Sequence, residues 1–187
     1  KFDVELLAAA LGVDSLEVLE ALNAVALSSC LVCCEGYLFR FDHSKSREAI
    51  FGQLSVPLKK GYHAKIAEKL EVISKAGGQV SNGDLAYHYA QGDNVAKAIE
   101  YALAAGENAL EVFSNQEAIK HFTYVLQNLS DLPENTEKKQ VAIEGLGDSY
   151  YANGKFAKAI EVFERLSESE TVKVKLRAYR KAMDAVF

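Results

Sequence analysis

The sequence predicts a mainly α-helical protein that carries one β-hairpin near its N-terminus and an array of α-hairpins after it. Three observations lead to this prediction. Apolar residues recur at the three- and four-residue spacing of helices along most of the 187 residues. Alternation with a period of two, which is typical of a half-buried strand, is confined to residues 37–41. In the second half, short polar turns such as GDN and NG separate the helical segments.

The N-terminal part is predicted to form two helices followed by the hairpin. Residues 3–11 form the first helix and Gly12 ends it, while Asp14 or Ser15 caps the second. An EG turn joins the strand in CLVCC to the strand in YLFRF. Two helices and a hairpin in this order are the later parts of a winged-helix unit, in which the hairpin is the wing. Because the first helix of such a unit would precede Lys1, we expect the chain to be part of a longer protein.

Helical spacing returns after the hairpin and continues to a glycine-rich segment. Ser44 caps one helix, and Pro57 opens another helix or turn whose residues carry an apolar stripe. The GGQVSNG stretch that follows is the predicted linker. We therefore predict a winged-helix-like domain with its following helices at residues 1–76 and a helical repeat domain at residues 77–187.

The second domain is predicted to consist of helices separated by short turns. Gly154 suits the left-handed conformation that a tight turn between antiparallel helices needs. Ser114 and Glu117 have the spacing of a capping box at a helix N-terminus. The predicted helices span residues 84–91, 95–113, 116–129, 135–152, 156–167 and 171 to the end.

An internal repeat connects these helices. The string AKAIE occurs at residues 96–100 and again at residues 157–161. Around the second copy, the sequence matches the tetratricopeptide pattern W-x2-L-G-x2-Y with its later A-x3-F, except that Ile replaces Trp and Thr171 stands where Pro is usual. In that pattern small residues let two helices approach closely, and aromatic residues fill the groove between neighbouring hairpins. The matching residues are Ile143, Leu146, Gly147, Tyr150, Ala159 and Phe163.

These segments together resemble the region that follows the ATPase core in signal-transduction ATPases with numerous domains, the STAND class. The resemblance covers nearly the whole chain and is carried, in order, by FDVELLAAALGV, LFRFDHSKSREAIF, YHAKIAEKLE, LAYHYAQGDNVAKAIEYALAAGENAL and EAIKHFTYVL. In such proteins a P-loop ATPase core is followed by a winged helix and tetratricopeptide-like helices. The resemblance implies a non-enzymatic regulatory and protein-interaction region of a larger ATPase, with ATP or ADP held by a domain outside this sequence.

The resemblance also implies a role for His43. In related ATPases of the plant resistance and apoptosome types, a Met-His-Asp motif in the winged helix places its histidine against the phosphates of bound ADP. His43 has a similar position, although Asp42 and Ser44 replace the Met and Asp of the motif. His43, and Arg47 one turn later, are thus candidate nucleotide contacts in the parent protein. The alternatives are a histidine at a helix cap and an arginine paired with Glu48 or a neighbouring helix.

Stacked helical hairpins leave a concave surface, which the first helix of each pair lines in tetratricopeptide units. Aromatic and acidic residues are predicted to lie on that surface. Such a surface suits a protein or peptide partner of basic character, or the ATPase core of the parent chain. The alternative for these side chains is ordinary packing and solvation. The candidate partner-binding residues are Tyr87, Tyr101, Asn108, Glu144, Asp148 and Tyr151, with Val141 beside them.

The sequence contains no motif for catalysis or for a resident cofactor. The patterns GxxxxGK[ST], HExxH, GxSxG and paired CxxC do not occur, which argues against a phosphate cradle, a zinc protease, a hydrolase nucleophile elbow and a four-cysteine zinc site. Cys30, Cys33 and Cys34 are expected to pack as small apolar residues on a buried strand. We therefore predict no catalytic residue, no metal and no cofactor in this chain.

Charge and hydropathy restrict the expected partners and location. The formal net charge is -5, and no Lys or Arg occurs between Phe2 and Phe39 although six acidic residues do. Because DNA contact requires cations, nucleic acid is a disfavoured partner, and a DNA-binding winged-helix regulator is the first alternative. No apolar run is long enough to cross a membrane, and three cysteines suit a reducing compartment. We expect a cytoplasmic protein with no membrane partner; a free-standing tetratricopeptide adaptor is the second alternative.

Overall fold

The computed structural model describes residues 3–29, 31–36, 38–130 and 135–167, with side chains as far as residue 164. These described residues form nine helices and one two-stranded sheet, which confirms the predicted mainly helical class with a hairpin and a following helical array. The helix predicted from residue 171 onward lies outside them. Backbone contacts divide the chain into two units: unit 1 comprises Lys1–Val80 and Tyr87–Asn94, and unit 2 comprises Ser81–Ala86 and Val95–Phe187.

Unit 1 contains the N-terminal helices and the hairpin. Its elements are α1 (Val4–Leu11), α2 (Ser15–Ser29), β1 (Val32–Glu35), β2 (Leu38–Phe41), α3 (Ser44–Gln53), α4 (Val56–Lys75) and the C-terminal half of α5 (Asn82–Gln91). Helix α1 packs against α2 and α4, α2 packs against β1, and α3 contacts β2. Pro57 lies in the first turn of α4, as predicted, because proline there removes no helical hydrogen bond.

Capping residues fix the ends of α1 and the start of α2. Asp3 Oδ1 accepts a hydrogen bond from the backbone N–H of Glu5 at 2.7 Å. Gly12 follows α1 with a φ of 75°, a left-handed conformation that glycine adopts without strain. Asp14 Oδ1 accepts a hydrogen bond from the backbone N–H of Leu16 at 2.8 Å. The predicted helix end at Gly12 and cap at Asp14 are therefore confirmed.

The hairpin is antiparallel, with Val32 opposite Phe41. Val32 and Phe39 are buried, so the hairpin contributes apolar side chains to unit 1. Across the strands, Arg40 Nε lies 2.7 Å from Glu35 Oε1. The hydrogen bond that Arg40 donates to Glu35 raises the pKa of the Arg40 guanidinium above its ordinary value, with smaller contributions from the charges of Cys33 and Glu35.

The expected burial of the cysteines is wrong for Cys34. Cys33 is half-buried, and its Sγ lies 3.8 Å from the backbone oxygen of Arg40. Cys34 is exposed, because it lies near the turn, where Glu35 and Gly36 are exposed as well. Cys30 lies outside the described residues.

Unit 2 contains the N-terminal half of α5 and four further helices whose ends fall close to the predicted ones. These are α6 (Val95–Glu111), α7 (Asn115–Asn128), α8 (Thr136–Ala152) and α9 (Phe156–Ser167). Helix α7 packs against α6 and α8, α9 packs against α8, and α6 also contacts α8. Consecutive helices are therefore neighbours in space, as the short turns between them predict.

Three glycines let aromatic rings approach the backbone of these helices. Gly106 of α6 and Gly145 of α8 both lie against the ring of Phe122, and Gly147 of α8 lies against the ring of Phe163. The two phenylalanines are 0% and 2% exposed. The close approach predicted at Gly147 is thus present, between α8 and α9, and small residues at these positions set the helix spacing. That Phe163 fills a groove between neighbouring hairpins stays a prediction.

Left-handed residues close two of the turns in unit 2. Gly154 between α8 and α9 has a φ of 71°, as predicted. Phe113 between α6 and α7 has a φ of 58°, at a position where glycine is usual. Behind Phe113, the backbone N–H of Ser114 donates to the carbonyl of Ala109 at 2.7 Å, which closes the end of α6.

The predicted capping box at Ser114 and Glu117 is wrong. Ser114 precedes α7 but its side chain makes no capping hydrogen bond. Its ψ of 62° departs from the extended backbone that a capping serine needs to reach the first turn. Glu117 instead pairs with Lys120 at 2.6 Å, and this hydrogen-bonded ion pair lowers the pKa of Glu117.

Candidate functional site

Most of the predicted partner-binding residues lie on α6 and α8. Tyr101 and Asn108 are seven residues apart on α6. Glu144, Asp148 and Tyr151 follow one another on α8 at spacings of four and three residues. Residues at these spacings share one side of a helix, so each helix carries its predicted residues along a single stripe.

An ion pair joins the two helices that carry these stripes. Lys138 Nζ of α8 lies 3.5 Å from Glu100 Oε1 of α6, and both side chains are partly exposed. Helices α6 and α8 therefore lie side by side, although α7 separates them in sequence. We define the α6–α8 face by the two stripes of predicted residues: Tyr101, Asn108, Glu144, Asp148 and Tyr151.

Exposure differs along the α6–α8 face. Asn108 and Tyr151 are exposed, whereas the other three residues are half-buried. The ring of Tyr151 meets the ring of Phe156 edge to face, with centroids 5.5 Å apart. A tyrosine held in this way offers apolar contact area and a polar hydroxyl at a small cost in side-chain entropy.

Further carboxylates lie on α6, about a quarter-turn around the helix from the stripe of Tyr101 and Asn108. Glu100, Glu107 and Glu111 are exposed and lie along α6 at spacings of seven and four residues. Glu144 and Asp148 lie on the adjoining α8. The predicted stripes themselves contribute Glu144 and Asp148, and carboxylates attract positively charged partners.

Two strongly exposed apolar residues at the end of α6 were not predicted from the sequence. Val112 and Phe113 are 72% and 84% exposed. Val112 continues the stripe of Asn108, because its backbone N–H donates to the Asn108 carbonyl at 3.3 Å. The sequence signal that could have identified them is the EVFSN turn, which lacks the glycine usual after a helix.

Tyr87 lies on α5 in the part assigned to unit 1. Its ring is 55% exposed and contacts two histidines edge to face, with centroids 5.5 Å from His63 and 5.3 Å from His88. These contacts place Tyr87 in an aromatic cluster of unit 1, and its predicted role in partner binding remains a prediction.

The two predicted nucleotide contacts face different surroundings. The predicted cap of α3 at Ser44 is wrong, because His43 occupies the N-cap position and Ser44 is the first helical residue. The His43 side chain makes no capping hydrogen bond and is 77% exposed. Its Nε2 lies 3.1 Å from Asp42 Oδ2.

Arg47, one turn later, is exposed at the mouth of an apolar cavity of about 540 Å³ within unit 1. Arg47 has no ion-pair partner among the described residues, so the predicted pairing with Glu48 is absent there.

His63 and His88 form a pair in unit 1 that the sequence did not reveal. Their Nδ1 atoms lie 3.0 Å apart and their ring centroids 5.0 Å apart. Burial lowers the pKa of His63, so its neutral form is favoured. The two residues are 25 positions apart on different helices, and no local spacing rule connects residues at that distance.

The described residues hold no group of three His, Cys, Asp or Glu side chains placed to bind a metal ion. None of the described helices combines the length and apolarity needed to cross a bilayer. No family model, curated protein or solved structure matches the chain.

Proposed function

We propose that the chain is a non-enzymatic regulatory and protein-interaction module whose α6–α8 face binds a basic segment of a protein partner. The observation that carries the proposal is the side-by-side placement of α6 and α8, marked by the Lys138–Glu100 ion pair. This placement brings two stripes from distant parts of the sequence onto adjoining helices. The face is thereby wide enough to contact an extended peptide or a helix.

The chemistry of the face favours a partner that alternates basic and apolar residues. Glu144 and Asp148 of α8 would attract Lys and Arg side chains, which also stack on exposed tyrosine rings such as that of Tyr151. Val112 at the end of the α6 stripe supplies an apolar contact. Electrostatic attraction then sets the rate and selectivity of binding, while the aromatic and apolar contacts hold the complex.

We further propose that the parent protein is a STAND-type ATPase and that this chain is its regulatory arm. The order and spacing of the sequence segments from FDVELLAAALGV to EAIKHFTYVL support the STAND assignment. The placement of a hairpin before a helical array supports it as well. His43, exposed at the start of α3, would contact nucleotide held by the ATPase core. A partner bound to the α6–α8 face would change how unit 1 docks on the ATPase core of the parent protein. This requires that the partner bind one docked arrangement more tightly than the alternative arrangement.

An array of immobilised peptides tests the binding function. Three sets of equal length are compared: basic with apolar residues, acidic with apolar residues, and neutral. We expect the fluorescently labelled chain to bind the basic set saturably, with an affinity that falls as salt is raised. The variant Glu144→Lys should bind the best basic peptide about fivefold more weakly or worse, because it replaces attraction with repulsion.

Glu68→Lys is the matched control, since it makes the same charge change on an exposed residue of α4. It should leave the affinity within about twofold, as expected for a remote surface charge. The α6–α8 face would not be the binding surface if the chain bound the acidic and basic peptide sets equally. The same conclusion would follow if Glu144→Lys and Glu68→Lys lost affinity for the best basic peptide to the same extent.

The coding sequence upstream of Lys1 tests the proposed parent. We expect a strand, a GxxxxGK[ST] loop and a helix that form a phosphate cradle. A reading frame without this motif would refute the STAND assignment and leave peptide binding to be judged separately. The DNA-binding alternative predicts retardation of duplex DNA in a gel at low salt, and we expect none at micromolar protein.

A further inference from the structure

We propose that unit 1 binds an amphipathic monoanion, an apolar chain bearing one carboxylate, in the cavity at whose mouth Arg47 lies. The proposal does not depend on the α6–α8 face. It concerns a different surface, different residues and a ligand of different size.

The cavity has the dimensions and walls of a small-molecule site. Its volume of about 540 Å³ falls within the range of about 300 to 1,000 Å³ that is usual for such sites. Helices α1 to α4 and the hairpin all contribute to the wall, which is mainly aliphatic and aromatic. Leu7, Leu22 and Ile66 are examples from three of these helices. An apolar chain would therefore replace water along most of its length.

The charged residues of the wall share one sign. Among the described residues of the wall, Arg47 and Lys59 are the cations, His63 is a further titratable group of basic type, and none is acidic. Lys59 Nζ lies 4.6 Å from the centre of the Phe51 ring, which holds its ammonium group at the wall. Arg47 has no ion-pair partner among the described residues. The charge of the cavity thus complements an anion.

The position of Arg47 fixes the orientation of the proposed ligand. Arg47 is exposed and lines the cavity, so a carboxylate bound to it would remain partly hydrated while accepting two parallel hydrogen bonds. An apolar cation would meet repulsion there, and a neutral apolar molecule would desolvate the guanidinium without replacing its hydrogen bonds. Because the Lys59 ammonium lies over the Phe51 ring, Arg47 is the cation left for the head group, and one guanidinium balances one carboxylate.

A second depression offers space for the far end of the chain. It has a volume of about 340 Å³ and shares Leu7, Leu11 and Leu22 with the cavity. Its charged residue is Glu17, which lies on α2. The carboxylate is therefore expected at the Arg47 end, with the apolar chain extending toward α2.

Calorimetric titration of the chain with two ligands of equal tail length tests the proposal. Dodecanoate carries the proposed head group, and dodecylammonium carries the opposite charge on the same tail. Both are used below their micellar concentrations. We expect dodecanoate to bind one per chain and dodecylammonium to bind at least about tenfold more weakly, because the head groups differ only in their interaction with Arg47 and Lys59.

A charge reversal locates the site. Arg47→Glu should weaken dodecanoate binding about tenfold and strengthen binding of dodecylammonium. Lys45→Glu makes the same change in net charge on an exposed residue of α3 that does not line the cavity, and it should leave both affinities within about twofold. Both positions are exposed, so neither variant disturbs the core.

Three results would overturn the proposal. They are the failure of dodecanoate to bind saturably, equal affinity for the two ligands, and equal effects of Arg47→Glu and Lys45→Glu. Binding of a helical peptide in the absence of dodecanoate binding would show that the cavity is a protein-binding surface and not a small-molecule site. Because the α6–α8 face is unaltered in both variants, peptide binding there should persist whichever result is obtained.

Discussion

Tyr89 donates a hydrogen bond from its hydroxyl to Glu71 Oε2, and both side chains are buried in unit 1. Tyr89 lies on α5 and Glu71 on α4. The same carboxylate is paired through Oε1 with Lys75 at 2.8 Å. A buried carboxylate is costly unless its oxygens are satisfied, so these two partners allow an acidic residue to occupy the contact between the two helices.

Removing the Tyr89 hydroxyl is therefore expected to destabilise the protein. Tyr89→Phe leaves the ring in place but deprives Glu71 of a donor, at a cost of about 1–3 kcal/mol in the free energy of unfolding. Urea denaturation measures this change. Tyr62→Phe, which removes a hydroxyl from a 37% exposed ring, should change the same quantity by less than about 0.5 kcal/mol. Equal effects of the two variants would show that the Tyr89 hydrogen bond adds no stability.

Burial of His63 predicts a loss of stability in acid. Its pKa is lowered in the folded protein by burial, so the unfolded chain takes up a proton at higher pH than the folded chain does. Above the ordinary histidine pKa of 6.5, His63 is neutral in both the folded and the unfolded chain and does not lower the free energy of unfolding. As the pH drops below 6.5, the free energy of unfolding should fall. Protonation of both rings would also destroy the His63–His88 hydrogen bond, because two N–H groups would then face each other.

Denaturation curves between pH 8 and 5 check this dependence. His63→Gln should flatten the decline, and part of it should remain because burial also lowers the pKa of His121, against an opposing effect of Glu117. His43→Gln changes an exposed ring and is the control. An unchanged pH dependence in His63→Gln would show that this histidine is not responsible.

The left-handed conformation of Phe113 predicts a stabilising substitution. A non-glycine residue with a φ of 58° costs about 1–2 kcal/mol, and a side chain that is 84% exposed contributes little burial in return. Phe113→Gly should therefore raise the free energy of unfolding by about 1 kcal/mol.

The reciprocal change is available at Gly154, which occupies the same kind of turn with a φ of 71°. Gly154→Ala should lower the free energy of unfolding by about 1 kcal/mol, measured by thermal or urea denaturation. A destabilised Phe113→Gly protein would mean that the aromatic ring makes a contact that outweighs the backbone strain.

Gly147 is expected to tolerate no side chain. A methyl group there would approach the ring of Phe163 to well under 3.0 Å. Alanine normally stabilises a helix relative to glycine by about 1 kcal/mol, but overpacking costs about 1–3 kcal/mol, so Gly147→Ala should be destabilising overall. Phe163→Leu should reduce this penalty, because it removes the ring atoms that the methyl group meets.

Gly61→Ala is the matched control for this prediction. Gly61 lies within α4, and a methyl group added there would meet no atom within 4 Å. The substitution should stabilise the protein by about 0.5–1 kcal/mol through helix propensity alone. A stabilised Gly147→Ala protein would contradict the close packing of α8 on α9.

The sequence predicted the parts of the fold that depend on local interactions. Gly12 and Gly154 mark turns because glycine adopts positive φ without strain, and Pro57 marks the first turn of α4. Helical spacing located the remaining helices. The turn after residue 113 was predicted, but the left-handed conformation of Phe113 was not, because a residue other than glycine occupies that position.

The sites depend on contacts that local spacing does not encode. Arg47 was identified through a family resemblance, but its position at an apolar cavity follows from the packing of α3 on the hairpin. His63 and His88 are each single histidines on a helix, and only the packing of α4 beside α5 brings them together. The stripes on α6 and α8 were predictable within each helix, whereas their adjacency required the arrangement of three helices.

The ring of Phe122 ties those three helices into one cooperative unit. It projects from α7 and lies against Gly106 of α6 and Gly145 of α8, so neither neighbour can separate without opening a void around the same side chain. Backbone amides of α6, α7 and α8 should therefore exchange with deuterium at a common slow rate set by a shared opening event. Evolutionary change at any of the three positions would have to be matched at the other two.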